Sequence, residues 1–93
     1  MSTRFLIEVA HEGTPIACVR AAEVFLRTGS HLLTHADWGC MDGEHKAWIT
    51  VEVDTKDEAR RILPPVLRTD AKIVQLNAFT SDDLAKLLKQ HES

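Results

Sequence analysis

Several things are missing from this chain of 93 residues, and each absence removes a class of function. Lysine and arginine are scattered, not clustered, and the formal charge is −3 with a pI near 5.9. No electrostatic footprint for a phosphate backbone results, so nucleic acid is not an expected partner. No apolar run is long enough to span a bilayer, and Met1-Ser2-Thr3-Arg4 leads into only a short apolar stretch without the small-residue cleavage site of an export signal. A cytoplasmic location without membrane association is the expectation. There are two cysteines, Cys18 and Cys40, with no C-x-x-C spacing, so neither a redox pair nor a zinc knuckle is encoded and two reduced thiols are expected. Internal repeats, low-complexity tracts and glycine-rich phosphate loops are absent too.

What the chain does contain is a regular succession of patterned segments. Phe5 to Ala10 alternates, with Phe5, Ile7 and Val9 on one side and Leu6, Glu8 and Ala10 on the other, the period of a half-buried strand. Thr14 can cap a helix whose first position is Pro15. Val19, Ala22, Phe25 and Leu26 then recur at helical spacing until Gly29 stops it. The stretches Leu32–Met41 and His45–Val53 flank Asp42-Gly43, a strong signal for a hairpin closed by a two-residue turn. Counting outward from that turn pairs Asp37 with Trp48, Trp38 with Ala47, Ala36 with Ile49, His35 with Thr50 and Thr34 with Val51.

Thr55-Lys56-Asp57-Glu58 has the form of a capping box, and Ala59, Ile62, Leu63, Val66 and Leu67 continue as an apolar stripe. Pro64-Pro65 interrupts it, so that helix should end near Leu63 and be followed by a separate short turn. Lys72–Phe79 reads as a fourth strand. Ser81-Asp82-Asp83 opens a last helix with Leu84, Leu87 and Leu88 on one face.

The order β-α-β-β-α-β plus a terminal helix resembles the ferredoxin-like superfold and, more narrowly, the small dimeric α+β barrel proteins. The resemblance lies in element order over nearly all of residues 1–93, read as a single α+β domain. It implies a four-stranded antiparallel sheet with strand three between strands one and two and strand four beside strand one. It also implies that two copies pack sheet against sheet, and that a pocket can serve chemistry without a cofactor or metal.

Helices on one face leave the other face of the sheet open. Alternation lists it as Leu6, Glu8 and Ala10; Leu33, His35 and Asp37; Trp48, Thr50 and Glu52; and either Ile73, Gln75 and Asn77 or Val74, Leu76 and Ala78, the first set being preferred for its polarity. Leu6, Leu33, Trp48 and Ile73 make this face more apolar than a monomer usually leaves in water, so a homodimer through it is expected.

His35 and Asp37, two apart on a strand, would project from one face about 7 Å apart and form the candidate catalytic pair. Glu8, Trp48, Thr50 and Glu52 would line a small-molecule site beside them, Trp48 as the wall for a flat ligand. A polar dimer interface satisfying the same groups is the structural alternative. A metal set of His31, His35, Asp37, Cys40 and His45 is disfavoured, because His31 and His35 would lie about 13 Å apart on a strand and Cys40 would face away. Cys40 and His45 do meet across the hairpin, where a surface site is conceivable. His11, ahead of the first helix, could meet an anion but lacks a phosphate-cradling loop, and Cys18 reads as core filler.

Two functions follow. One is a homodimeric binding or regulatory domain holding a small molecule. The other is a cofactor-independent isomerase or small oxygenase with His35 as acid or base, a substrate class taken from the resemblance alone.

Overall fold

The computed structural model describes residues 2–28 and 31–92. It is an α+β fold with an open four-stranded antiparallel sheet in the order β2-β3-β1-β4. Strand β1 (Thr3–Ala10) is central and pairs with β3 (Lys46–Val53) on one side and β4 (Lys72–Leu76) on the other. The short strand β2 (Asp37–Trp38) borders β3. Phe5, Ile7, Val9, Ala47, Ile49, Val51 and Ile73 face the helices and are buried, so the period-two alternation of β1 and β3 is what divides core from open face.

Helix α1 (Pro15–Thr28) starts where the cap and proline place it, with the Ala17 N–H donating to Thr14 Oγ1 at 3.2 Å. Its buried anchor is Phe25, whose ring lies 5.0 Å from that of Trp38. Val19 and Leu26, expected on the same stripe, are instead 60% and 65% exposed, because the helix turns Ala17, Cys18, Ala21 and Ala22 inward. Gly29, the expected helix stop, lies outside the described residues.

Helix α2 (Lys56–Arg61) begins at Thr55, whose Oγ1 accepts from the Glu58 N–H at 3.1 Å, while Glu58 Oε2 accepts from the Asp54 N–H. Pro64 ends the run, and α3 (Pro65–Arg68) is one turn with proline at its first position. Two guanidinium groups tie this corner together just ahead of β4. Arg60 donates to the carbonyls of Arg68 and Ala71, and Arg68 to those of Leu63 and Arg61. Helix α4 (Ser81–Glu92) extends from the body with every residue exposed, consistent with principal extents of 54 × 29 × 20 Å. Among the described residues no helix is long and apolar enough to cross a membrane.

The expected long second strand is the main departure. His31–His35 forms a 3-10 helix, and only Asp37 and Trp38 join the sheet. The two pairs nearest the turn, Asp37 with Trp48 and Trp38 with Ala47, form as counted; the outer three do not. The cause is local and tertiary together: Thr34 Oγ1 donates to the His31 carbonyl, and Leu33 is 1% exposed in the core, so the backbone coils to drive one leucine inward. The turn is also longer than two residues. Cys40–Asp42 forms a second 3-10 turn, and Gly43, at φ 81°, closes it in the left-handed region.

Candidate functional site

Three of the expected open-face assignments need correction. Leu33 is in the core, His35 is an exposed residue of the first 3-10 helix rather than of a strand, and Ile73 is buried beside Ile7 on the helix side. The β4 residues on the open face are Val74 and Leu76, the set not preferred, since Leu6 pairs with Val74 and Arg4 with Leu76. Asp37 is exposed on β2, so it and His35 do not project from a shared strand. His31 and His35, expected far apart, are instead brought edge to face at 6.2 Å by the 3-10 turn. On the open face proper, Glu8 Oε1 accepts a hydrogen bond from Trp48 Nε1–H at 3.0 Å, and Thr50 and Glu52 follow on β3, exposed.

The densest chemistry lies at the other end of the sheet. The β1–β3 ladder runs past Ala10↔Lys46, and the His11 N–H donates to the His45 carbonyl at 3.0 Å. This backbone bond sets two imidazoles side by side, their centroids 5.7 Å apart in an edge-on arrangement. The second 3-10 turn then carries Cys40 over His11, whose Nε2 lies 3.1 Å from Cys40 Sγ. From the first turn of α1, Cys18 reaches the same point. Cys18 and Cys40 are joined as a disulfide with their Cα atoms 6.6 Å apart, near the wide end of the usual span. The expectation of two independent reduced thiols is corrected by this pairing, which only the approach of α1 to the β2–β3 connection creates.

Thr14, Pro15, Val19 and Met41, together with the two cysteines and His45, line a cleft of about 260 Å³ against this bond. Its walls are mostly apolar, and Met41 and Val19 are exposed. His45 Nδ1 is buried and is without a hydrogen-bond partner among the described residues. His11 has a defined tautomer. Its Nδ1 is 2.8 Å from the Glu12 carbonyl oxygen, which can only accept, so Nδ1 carries the hydrogen. In the neutral ring, Nε2 therefore presents its lone pair to the sulfurs.

No protein-family model, curated protein or solved structure matches the chain. The site must be read from its own chemistry. Sequence spacing paired Cys40 with His45 across the hairpin but left out His11 and Cys18, although the strand pairing of β1 with β3 alone would have put His11 beside His45.

Proposed function

We propose that this chain is a binding or regulatory domain whose working site is the His11–Cys18–Cys40–His45 cleft, with the cysteine pair as a latch operated by thiol–disulfide exchange. The observation that carries this reading is the bond itself: half-buried, in the wall of the cleft, with His11 Nε2 at 3.1 Å from Cys40. A thiol reductant attacks one sulfur, the S–S bond breaks and the mixed disulfide is resolved by a second reductant thiol. Two electrons pass to Cys18 and Cys40 while the reductant becomes its own disulfide. Attack at Cys18 Sγ expels Cys40 as a thiolate 3.1 Å from His11 Nε2, the group placed to hand it a proton when the ring is protonated. Reduction uncouples α1 from the β2–β3 connection and opens the cleft.

The test is to equilibrate the native protein in glutathione buffers of graded potential and count free thiols, with amide spectra recorded at each point. A reversible step to two thiols in a folded protein, with changes centred on α1 and residues 40–45, supports the latch. A bond that opens only when the chain unfolds rejects it.

A second reading concerns the open face and is favoured by Leu6, Val74 and Leu76 lying half-buried there, and by α4 with Leu84, Leu87 and Leu88 exposed. The strand order β2-β3-β1-β4 supports the ferredoxin-like fold, and on that basis the chain forms a homodimer through this face, with Glu8, Trp48, Thr50 and Glu52 beside any small molecule held there. Sedimentation velocity should find a dimer that Leu6→Glu with Val74→Glu converts to monomer. A wild-type monomer at high concentration removes this reading and leaves the latch untouched.

A further inference from the structure

We infer that in its reduced form the chain binds a single thiophilic d10 cation of the Zn2+ class through His11 Nε2, Cys18 Sγ and Cys40 Sγ, with the fourth coordination position open to the apolar cleft. This rests on the latch reading only in requiring that the disulfide can open in the folded protein.

The donor atoms of His11, Cys18 and Cys40 all lie within 4.8 Å of one another. A tetrahedral ion with bonds of about 2.3 Å to sulfur and about 2.05 Å to nitrogen needs its donors roughly 3.6–3.8 Å apart. The sulfurs must separate from bonding contact to reach that spacing, and the Cα separation of 6.6 Å leaves the two main chains already well apart.

The orientation of His11 is the independent argument. A metal-ligating imidazole characteristically donates its other N–H to a carbonyl or carboxylate, which fixes the tautomer and the ring plane. The Glu12 carbonyl does this at Nδ1 and leaves the Nε2 lone pair aimed at the sulfurs. A disulfide sulfur has no proton to offer that lone pair. In the oxidised state the 3.1 Å approach is thus a contact between acceptors for the neutral ring, whereas a cation among the three donors satisfies every one of them. Two thiolates and one neutral imidazole give the site a formal charge of −2, which a divalent ion neutralises, and the soft sulfur pair selects against Mg2+ and Ca2+.

Three protein donors leave one position for water or an exogenous ligand, the arrangement of sites that exchange ligands rather than merely brace a fold. The cleft lined by Pro15, Val19 and Met41 borders both cysteines, so the fourth position opens onto apolar side chains.

The experiment is a titration of the full chain with Co2+ and then Zn2+, under a phosphine reductant and without oxygen, with free thiols counted in parallel. Tetrahedral thiolate-bound Co2+ shows strong visible d–d bands and a sulfur-to-cobalt charge-transfer band in the near ultraviolet. Both should rise to a break at one ion per chain and vanish as Zn2+ displaces Co2+. Cys18→Ser and Cys40→Ser should each lower affinity at least about 100-fold and halve the charge-transfer intensity, and His11→Ala should lower affinity about 10- to 100-fold with charge transfer retained. Two free thiols in a folded protein with no such bands overturn the metal site and leave the latch standing. Bands that form under the phosphine in a protein whose bond glutathione never opens sustain the metal site and remove the latch. A bond that persists under the phosphine until the chain unfolds overturns both.

Discussion

The Trp48 indole N–H donates to Glu8 Oε1 at 3.0 Å across a directly opposed pair of β1 and β3, and both side chains are half-buried on the open face. A charge-assisted bond of this kind is worth about 1.5–3 kcal/mol when partly desolvated. Trp48→Phe, which removes the donor and keeps most of the ring, should destabilise the fold by about 1.5 kcal/mol in urea denaturation. Glu8→Gln retains an acceptor and should cost less than half of that. Equal losses would show that the bond depends on the full carboxylate charge and not merely on an acceptor at that place.

Two glycines of the β2–β3 connection fail for different reasons when a methyl is added. Gly43 has φ 81° and open space around it, so Gly43→Ala carries backbone strain alone, about 1–2 kcal/mol. Gly39 has an ordinary backbone, but a Cβ there would lie 2.8 Å from the Glu44 carbonyl oxygen and 2.8 Å from Trp48 Cζ3. Gly39→Ala should therefore be the more damaging change. Its thermal midpoint should fall below that of Gly43→Ala, and its Trp48 fluorescence should shift while that of Gly43→Ala stays as in wild type.

Thr55→Ala removes the acceptor for the Glu58 N–H and should cost about 1 kcal/mol, with most of it restored in Thr55→Ser, as read from denaturant midpoints. A serine that restored nothing would place the effect in the lost methyl.

Asp83 reports on the start of α4. Its carboxylate accepts from the Thr80 N–H at 3.0 Å, with a further bond to the Thr80 side chain, and these hold its pKa below the ordinary carboxylate value. A depressed folded-state pKa contributes stability above the unfolded value, and that contribution is lost as pH falls through the folded value. The helical signal of α4 should thus decline on acidification below about pH 4. Asp83→Asn should remove this component of the pH dependence, as followed by amide shifts of residues 81–86. An unchanged acid response would assign it to other carboxylates.

Phe25 is 2% exposed and touches the ring of Trp38, which makes it the joint between α1 and the short strand β2. Phe25→Ala should cost about 3–5 kcal/mol, a large share of the stability of a domain this size. It should also raise the rate at which the Cys18–Cys40 bond is reduced, because α1 would no longer be held against the sheet. A slower or unchanged reduction would mean that the helix docks independently of Phe25.

The elements of this protein are written in local signals. Phe5, Ile7 and Val9 alternate, Thr14-Pro15 and Thr55 start helices, Pro64 ends one, and Asp42-Gly43 marks a reversal; each acts within a few residues through sterics or a single hydrogen bond, so each is visible without the fold. Where a segment's fate depended on distant partners, local pattern was insufficient. Leu32–Ala36 has enough β-branched and apolar character for a strand, but the core takes Leu33 alone and the backbone coils to deliver it. The choice between Ile73 and Val74 for the open face was a matter of register, and opposition to Ile7 set it. The chemistry was least legible of all. His11, Cys18, Cys40 and His45 are spread over 35 positions of the chain with no motif spacing, and they meet because antiparallel pairing of β1 with β3 aligns the two histidines while α1 and the second 3-10 turn each bring one sulfur to the same corner. Periodicity along a chain determines which way a side chain faces; which side chains share a site is decided by the packing of elements far apart in sequence.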